Sequence, residues 1–528
     1  MRVAIAMHSK PSRTACALLL SALVWSASGT SSRADGVNAP QQSSQLPAAE
    51  RPTFEYVVRP RADYTRASLE VTLLLGLGFA QYVANHDLNS LDWDFSYSWG
   101  GLRNKLSPRG YSFDTNGFDT NFIRHSAAGT TYYWAARSNQ LSILESLVAA
   151  FVASTFWEYI GELRELASLN DIITTPLTGM VLGELTLQLG AFFDRSCELP
   201  SNQLLGVLLG PIKSLHDLLD DAVPLREQQC GRYGLSERGV HRFELSVVTG
   251  MVSTVAGPEV PARPWTRLEL HTQILAVETY GTPGEGIHHF TDGNVSELSL
   301  SGSYARTDWN DFSLRGTIVP LGLHYRSITA AMSGHELVFG LLLATEYSVH
   351  RFGEWSETTR QRDRYFELDV PGANLLYRRL WGATVLTLEM QAAAVFLGVD
   401  ALALGALRAQ PMPPPLPTVA RADGYNYALG VRLQPRVSLT HRGLQLGAEV
   451  AAVTAGVITV NDRFEDRSDF ARGSEQRALA LTWVSFGPEL WRVRLTVHGS
   501  WLQRWATLGG ARARRAELTV AGGLSIVF

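Results

Sequence analysis

From about residue 240 onwards, apolar and polar side chains alternate with a period of two over long segments. The clearest segment is LWRVRLTVHGSW, residues 490–501, where one parity is apolar (Trp491, Val493, Leu495, Val497, Trp501) and the other is polar or small. Such alternation is typical of a β-strand with two unlike faces. The two tryptophans lie roughly 33 Å apart along a strand, which projects to about 25 Å at a tilt of about 40°. That distance matches the lipid-facing band of an outer-membrane barrel.

Similar segments recur throughout residues 238–528, and they predict an antiparallel barrel of about twelve strands. In LGVRLQPRVSL, residues 429–439, Arg432 and Arg436 face away from the apolar parity, and HELVFGLLLATEYSV, residues 335–349, repeats the pattern. A soluble β-sandwich also alternates, but its strands average about five or six residues, and inward arginines would be costly in its core. In the water-filled lumen of a barrel, inward arginines cost much less.

The connections between these segments also favour a barrel. GPE at 487–489 and THRG at 440–443 are short, whereas 461–476 and the Pro-rich stretch near residue 411 lie in long polar loops. Outer-membrane barrels have short turns at one end and long loops at the other. TDWND, residues 307–311, is expected to be a connection but is short where a long loop is due. The chain ends on a strand at Phe528, as in barrels whose last strand pairs with the first.

The first 60 residues carry an export signal and a linker. Arg2, Lys10 and Arg13 precede the apolar run TACALLLSALVW, and small residues follow. This pattern predicts a signal peptide over residues 1–34. Residues 35–60 are polar and contain proline, which is typical of a linker.

Residues 61–235 are predicted to form a helical domain with a large buried core. Ser168 is a suitable N-cap, and Pro176 suits the first turn of a helix. Gly179 and Gly183 form a small-xxx-small pair that allows another backbone to approach closely. The fold class is therefore an α+β membrane protein: an N-terminal helical domain followed by an antiparallel outer-membrane β-barrel of about twelve strands.

Two cysteines, Cys197 and Cys230, remain after removal of the signal peptide. An exported chain enters an oxidising compartment, so a disulfide between them is a candidate. Two unpaired buried thiols are the alternative. The net charge of −4 gives no basic surface for a nucleic acid, so no nucleic-acid partner is expected.

Several short motifs in the helical half occur together. They are an Asn-Phe-x-x-His start at 121–125, Tyr-Tyr…Ala-Arg-Ser at 132–138, Trp-Glu-Tyr…Glu at 157–162, Ser-x-Asn-Asp at 168–171 and Leu-Gly-Glu at 182–184. This combination resembles the signature of bacterial domain of unknown function 3943, over roughly residues 85–215. Ser126 stands where members of that family usually have proline after the histidine. The resemblance implies an exported, membrane-associated protein and implies no activity.

The same segment contains acids inside apolar helices. Buried carboxylates must be paired or neutralised, so we expect at least two of them to lie close to a basic side chain. The candidate binding residues of this polar cluster are His125, Arg124, Arg137, Glu158, Glu162, Asn170, Asp171 and Glu184. The cluster is interpreted either as a structural network that fastens helices or as acid–base machinery in which His125 shuttles protons.

No metal or organic cofactor is expected from the sequence. The helical half has no His-x-x-x-His or Glu-x-x-His spacing. A nucleophile elbow, a P-loop and a Cys-x-x-Cys motif are also missing from the sequence.

Two functions remain open, and a third arrangement is disfavoured. The first is a non-enzymatic outer-membrane barrel with a periplasmic or lumen-capping helical domain, used in envelope maintenance or in passage of solute or lipid. The alternative is an envelope hydrolase or lipid-modifying enzyme that uses the Glu/His cluster. The third makes residues 67–85, 142–160 and 172–193 inner-membrane spans, which embedded acids disfavour.

The outer membrane is the predicted location, with the helical domain on the periplasmic side. The expected partners are outer-membrane lipid and the barrel assembly machinery, which would read the C-terminal strand ending in Phe528. The sequence gives no indication of the oligomeric state.

Overall fold

The structure is a computed structural model of the chain. It describes residues 61–85, 95–114, 116–222, 226–227, 230–231, 233–236, 240–256, 262–277, 279–291, 295–305, 308–351, 362–400, 403, 405–406, 425–460, 472–487 and 493–527. These residues belong to one compact unit, Ala48–Phe528. The expected signal peptide, the expected linker and Phe528 lie outside the described residues.

The described part of the helical domain contains seven α-helices and a two-stranded parallel sheet. Turns of π-helix at Thr120–Arg124 and Trp157–Gly161 adjoin the third and fourth α-helices. The elements are α1 Tyr64–Asn85, α2 Trp99–Lys105, β1 Tyr111–Ser112, α3 His125–Ser138, α4 Ile143–Phe156, β2 Ala167–Ser168, α5 Leu169–Arg195, α6 Pro200–Leu209 and α7 Pro211–Leu219. Ser168 caps α5 by accepting a hydrogen bond from the Asp171 amide, as predicted.

The rest of the described chain is antiparallel sheet. Its strands are β3 Val240–Ala256, β4 Arg263–Leu275, β5 Gly284–Phe290, β6 Val295–Ala305, β7 Asp308–Val319, β8 Gly322–Ile328, β9 Ser333–Arg351, β10 Arg362–Trp381, β11 Thr384–Asp400, β12 Asn426–His441, β13 Leu444–Val460, β14 Gly473–Phe486, β15 Val493–Leu508 and β16 Ala511–Val527. The last strand pairs with the first of the barrel, β16 with β3, and β9 pairs with β10. The twelve-membered ring β3, β4, β6, β7, β9–β16 is therefore closed.

The barrel wall has one irregular region, where β7 and β8 both pair with β9. β7 pairs with its second half and β8 with its first half, so they act as one interrupted strand. β5 extends the sheet by pairing with β8. The short connection expected at 307–311 is confined to residues 306–307, because Asp308 already begins β7.

The two ends of the barrel differ in the lengths of their connections. We call one the short-turn end, where residues 329–332, 382–383, 442–443 and 487–492 join strands. The other is the long-loop end, where residues 352–361, 401–425 and 461–472 join strands. Two connections at the long-loop end, 306–307 and 509–510, are also short.

The lumen is lined by ion pairs, as the inward arginines predicted. Arg432 lies 3.2 Å from Glu346 and also contacts Glu367, and Arg315 lies 2.8 Å from Asp369. A cavity of about 390 Å³ remains between these side chains. Charged side chains thus fill much of the interior, where they are paired with one another.

A cluster of buried apolar side chains lies on each side of these ion pairs. Near the short-turn end the cluster consists of Leu275, Val277, Tyr280, Phe290, Val295, Val319, Val338 and Leu376. Near the long-loop end it includes Tyr365, Val395, Leu397, Val399, Ala428, Val453, Ala455 and Leu508.

The helical domain packs against the outer wall of the barrel. Strand parity shows this directly, because buried Phe243 lies between the lumen-lining residues Arg242 and Glu244 and therefore faces outwards. Other outward side chains buried by the helices are Ile274, Ile318, Leu343, Phe366, Leu368, Tyr425 and Tyr427. The expectation that the helices cap or plug the lumen is wrong, because their contacts are on the opposite face of the strands.

α5 crosses the outer wall from one end of the barrel to the other. At its C-terminal end the Phe192 ring lies 5.3 Å from the ring of Phe243, close to where β3 begins at the short-turn end. Its N-terminal end lies near β12 at the long-loop end, because Asn170 binds the backbone of Asp114, whose carbonyl accepts a hydrogen bond from Tyr427. α3 and α4 pack on α5, and α1 packs on α3 and α4.

Glycine allows α3 and α5 to touch, as the small-xxx-small pair predicted. A Cβ on Gly179 would lie 2.3 Å from the carbonyl carbon of Gly129, and one on Gly183 would lie 2.6 Å from the Tyr133 ring. Pro176 was expected in the first turn of a helix, but α5 begins at Leu169 and contains Pro176 in its interior. Burial of this segment against α3 and the barrel outweighs the local cost of proline.

Candidate functional site

The predicted polar cluster separates into two groups of side chains. Arg137 and Glu184 meet in the bundle core. His125, Glu158, Glu162, Asn170 and Asp171 gather with Asp114 at the other end of α5, and we call these six residues the acid–histidine cluster. Glu184 lies beside Arg137 in the first group, and Asp171 lies beside His125 in the second, so two of the acids are close to a basic side chain.

The Arg137–Glu184 pair is fully buried and fully bonded. The Arg137 guanidinium donates from Nε to Glu184 Oε2 over 2.9 Å and from Nη2 to Oε1 over 3.3 Å. Tyr133 and Gln188 donate to the same carboxylate over 2.7 and 2.6 Å. Both Glu184 oxygens accept hydrogen bonds from side chains of α3 or α5. This group therefore joins the two helices, and its carboxylate has no oxygen left to bind a ligand.

The acid–histidine cluster is built by the small sheet at the long-loop end. β1 pairs in parallel with β2, and this brings the chain after Ser112 beside the N-terminus of α5. Asn170 Oδ1 accepts hydrogen bonds from the Asp114 amide over 2.7 Å and from Ser168 Oγ over 2.9 Å. Asn170 is thus a positioning residue that holds two chain segments together.

Asp114, His125 and Asp171 lie closest to one another. One ligand atom from each falls within 4.8 Å of the others, and His125 Nδ1 lies 3.5 Å from Asp171 Oδ1. Asp171 is nearly inaccessible, with 3% of its side chain exposed, while His125 retains 18%. The imidazole therefore forms the accessible side of the group.

Two further acids lie behind this group. Glu158 is buried, and its Oε2 accepts a hydrogen bond from the Ser168 amide over 2.7 Å. Glu162 accepts a hydrogen bond from the Trp157 indole over 2.9 Å. Burial and the nearby charges of Glu165 and Asp114 raise the pKa of Glu162 to about 8.

Lys105 is the buried cation on the far side of these acids. Its ammonium group donates to the backbone carbonyls of Glu158 and Glu162. Burial lowers the pKa of Lys105, and the charge of Glu158 partly opposes that shift. Lys105 therefore ties the π-helical turn to α2.

Sequence reasoning missed Asp114 and Lys105, and it included one residue that belongs to neither group. Arg124 is exposed and forms no ion pair with a described acid. Asp114 follows a two-residue strand, which is too short to leave a periodic signal. Lys105 is one of only three lysines in the chain, and this rarity is the one feature of the sequence that could have drawn attention to it.

The cluster adjoins the seam between the helical domain and the barrel. Asn121 Nδ2 lies 2.6 Å from the Tyr425 hydroxyl and 3.0 Å from the Tyr427 hydroxyl. Phe122 stacks on Phe366 with ring centroids 4.5 Å apart. Phe366 of β10, Tyr427 of β12 and Tyr425 just before β12 thus hold the π-helical turn that precedes α3 in place.

Three described helices are long and apolar enough to cross a membrane. They are Tyr64–Ala84, Ile143–Gly161 and Leu169–Arg195. They correspond to the three segments that the sequence offered as inner-membrane spans. α5 packs on the outer wall of a closed barrel. The three segments therefore do not form an inner-membrane bundle that is separate from the barrel.

Cys197 and Cys230 form a disulfide, with Cα atoms 5.9 Å apart. The bridge ties the chain after α5 to the segment that precedes β3. Cys197 Sγ also lies 3.6 Å from the carbonyl oxygen of Glu227.

The barrel resembles several solved structures at low identity. The translocator domain of autotransporter NalP from Neisseria meningitidis is 10% identical, with a TM-score of 0.22, over 56% of this chain and 91% of that chain. The β domain of the Bordetella autotransporter BrkA is 10% identical, with a TM-score of 0.22, over 55% and 99%. OmpT, an outer membrane protein of Vibrio cholerae, is 8% identical, with a TM-score of 0.19, over 55% and 100%.

No curated protein matches the chain. A family model described as Domain of unknown function (DUF3943) matches residues 110–212. This range begins just before β1 and contains all the motifs on which the resemblance rests. It also contains all six residues of the acid–histidine cluster. The resemblance is confirmed over residues 110–212, which lie in the helical half of this chain.

Proposed function

We propose that this protein is an outer-membrane barrel whose helical domain lies in the same bilayer, and that it works on or within outer-membrane lipid without conducting a solute. The observation that carries this proposal is the packing of the helical domain on the outer wall of the barrel. That wall is the surface which contacts lipid in an outer-membrane barrel.

The far side of the helical domain is apolar and exposed. In α1, Leu69, Leu73 and Leu77 are 60–67% exposed at intervals of four residues. In α4, Leu144 and Val152 are exposed in the same way. A helix that faced water would carry polar side chains on that side, so lipid is the solvent that fits this surface.

The dimensions of α5 also support a position in the bilayer. Its 27 residues correspond to roughly 40 Å of helix, and a bilayer core is about 30 Å thick. The helix contacts the barrel near both ends of the wall, so it covers the height that the strands span. A periplasmic helical domain, expected from the sequence, stays a prediction; the outer-wall contacts favour the bilayer instead.

The lumen offers little support for solute passage. Its arginines and acids are paired with one another between two clusters of buried apolar side chains. A conducting channel needs groups that remain available to a passing solute. We therefore place the working surface at the seam between helices and barrel.

The lengths of the connections support one orientation of the barrel in the membrane. Long loops face outwards in bacterial outer-membrane barrels, so the long-loop end would lie outside. The acid–histidine cluster would then adjoin the outer leaflet, and α6 and α7 would lie near the periplasmic side. Exposed apolar side chains on α6 and α7, such as Leu208 and Leu218, suit a membrane interface.

Depth-dependent fluorescence quenching tests the position of the helices. Leu73→Cys, labelled with a bimane probe in the full chain reconstituted in vesicles, should be quenched by lipids that carry a nitroxide on the acyl chain. Arg103→Cys is the matched control, because it is also exposed but lies on α2 among polar residues. A Leu73 label that is quenched by aqueous iodide and ignored by the nitroxide lipids would overturn the proposal.

The barrel itself has a simpler test. The protein should fractionate with outer membranes and should migrate faster on a gel before boiling, because a closed barrel resists detergent. Recovery as a soluble periplasmic protein would contradict the proposal.

The second candidate is a lipid-modifying enzyme, and the accessible edge of His125 beside Asp171 favours it. An imidazole next to a carboxylate is a general acid–base pair. Cells with wild-type protein and cells with His125→Gln should then differ in their outer-membrane lipids while the barrel remains folded. Identical lipid profiles would remove this candidate and leave the non-enzymatic role.

A further inference from the structure

The three closest members of the acid–histidine cluster come from three different elements. Asp114 follows β1, His125 begins α3, and Asp171 lies in the first turn of α5. Their ligand atoms all lie within 4.8 Å of one another. Around a zinc ion with bonds of about 2.1 Å, tetrahedral ligand atoms are about 3.4 Å apart. The 3.5 Å between His125 Nδ1 and Asp171 Oδ1 already matches that separation.

The charges around these residues do not balance. Asp114 and Asp171 are close enough for their carboxyl groups to interact directly. Two adjacent carboxylates must share a proton or hold a cation between them. Lys105 does not supply that cation, because its ammonium group is directed to the backbone carbonyls of Glu158 and Glu162.

A buried oxygen without a partner gives an independent indication. Glu158 is 1% exposed, and its Oε1 accepts no hydrogen bond from the described residues. Its other oxygen binds the Ser168 amide, and Ser168 Oγ in turn accepts from the Asp171 amide. Glu158 therefore adds a further uncompensated acceptor directly behind Asp171. A buried polar atom of this kind costs free energy unless something binds it.

The carboxylates are also oriented by neighbouring amides. Asn170 Nδ2 donates to Asp171 Oδ1 over 2.8 Å. Asn116 donates to both oxygens of Asp114, from its side chain over 2.7 Å and from its backbone over 3.1 Å. Outer hydrogen bonds of this kind fix the ligands of metal sites and raise their affinity.

We propose that Asp114, His125 and Asp171 bind one divalent transition-metal ion. Two carboxylates and one imidazole suit Zn²⁺ or Mn²⁺ better than Mg²⁺ or Ca²⁺, which prefer oxygen ligands alone. Three protein ligands leave coordination positions for water or for an oxygen of a bound molecule. The ion would neutralise the two aspartates and would join β1, α3 and α5 at the seam. The ligands come from three separate elements, which explains why no single-helix spacing revealed them.

Metal titration of the full chain tests this site directly. The protein is purified in detergent without a polyhistidine tag, stripped with a chelator and titrated calorimetrically with ZnCl₂ or MnCl₂. We expect one ion per chain with at least one of the two metals. Asp171→Asn and His125→Ala should each weaken that binding by at least 100-fold. Asp119→Asn is the matched control, because Asp119 is exposed in the same region and bonds Arg364 instead.

A spectroscopic signature separates loss of a ligand from loss of folding. Co²⁺ bound to the wild-type protein should give visible absorption that changes in position or intensity with His125→Gln, while gel mobility before boiling is unchanged. Absence of stoichiometric binding, or binding that survives both His125→Ala and Asp171→Asn, would overturn the proposal. These measurements do not depend on where the helices lie in the membrane, so the site and the proposed function can fail separately.

Discussion

Arg137 of α3 and Glu184 of α5 face each other inside the helical domain, with Arg137 Nε 2.9 Å from Glu184 Oε2. Both side chains are buried, and two neutral donors complete the carboxylate's hydrogen bonds. A pair of this kind gives little net stability relative to apolar residues, yet the loss of one member leaves a buried charge. Replacing only one member of the pair should therefore destabilise the helical domain much more than replacing both members with apolar residues.

Arg137→Ala should destabilise the helical domain by about 3–5 kcal/mol, because Glu184 would remain buried without its cation. The double variant Arg137→Met with Glu184→Leu should recover most of that loss. Arg124→Ala is the control, since Arg124 is exposed. Chemical denaturation in detergent, followed by limited proteolysis of the helices, measures the effect. Equal stability of the Arg137 and Arg124 variants would show that the pair is unimportant.

Gly179 provides a second test of the same helix pair. A Cβ at this position would meet the Gly129 carbonyl group at 2.3–2.5 Å, a contact that backbone atoms cannot relieve without moving α3 from α5. Gly179→Ala should cost at least about 2 kcal/mol, as overpacking does in tight cores. The measurement is the denaturant midpoint of the helical domain.

Gly76→Ala is the matched control for that substitution. Nothing lies within 4 Å of a Cβ at Gly76, which is in the interior of α1. This change should be neutral or should stabilise α1 slightly, because alanine favours a helix. A Gly179 variant as stable as the Gly76 variant would contradict the close approach of α3 and α5.

The barrel was predictable because its signal is repeated in every strand. The outward parity of Val493, Leu495 and Val497 is visible in the sequence, and these side chains are exposed on the outer wall. Strand number follows from counting such segments. What the pattern cannot show is which outward side chains meet lipid and which meet protein. Phe339 and Leu343 share one face of β9, yet the first is exposed and the second is buried under α5.

The candidate site was only partly predictable. Glu158, Asp171 and His125 stand out as polar residues in or beside apolar helices, so sequence alone could nominate them. Their separation from Glu184 depends on the direction and length of α5, which places Asp171 and Glu184 more than three helical turns apart. The position of Asp114 depends on β1 pairing with β2, a contact between segments more than fifty residues apart.

The raised pKa of Glu162, about 8, predicts a pH dependence of stability in the metal-free protein. An unfolded glutamate has a pKa near 4.3, so the folded state holds its proton more tightly. The contribution of Glu162 is fully present below about pH 4, and it is lost as the pH rises through about 8. Stability of the helical domain should therefore fall between those values.

Glu162→Gln should remove this part of the pH dependence, because glutamine does not titrate. The variant should gain stability over the wild type at pH 8.5 and should gain little at pH 5. Denaturant midpoints at the two pH values, measured with a chelator present, give the comparison. Glu198→Gln is the control, since Glu198 is exposed near α6. The same slope in wild type and Glu162→Gln would exclude Glu162 as its source.

The last strand, β16, closes the barrel. β16 pairs with β3 through Val527↔Glu244 and with β15 through Ile526↔Val493, so the described part of the strand already closes the ring. Phe528 lies outside the described residues, and the sequence predicts that the assembly machinery reads this terminal aromatic. Phe528→Asp, or its deletion, should lower the amount of folded barrel in the outer membrane several-fold. Arg512→Ala is the control, because it changes an exposed residue at the other end of β16. The gel-mobility difference between unboiled and boiled samples reports folding, and unchanged levels of folded protein after Phe528→Asp would show that closure by β16 suffices without the terminal side chain.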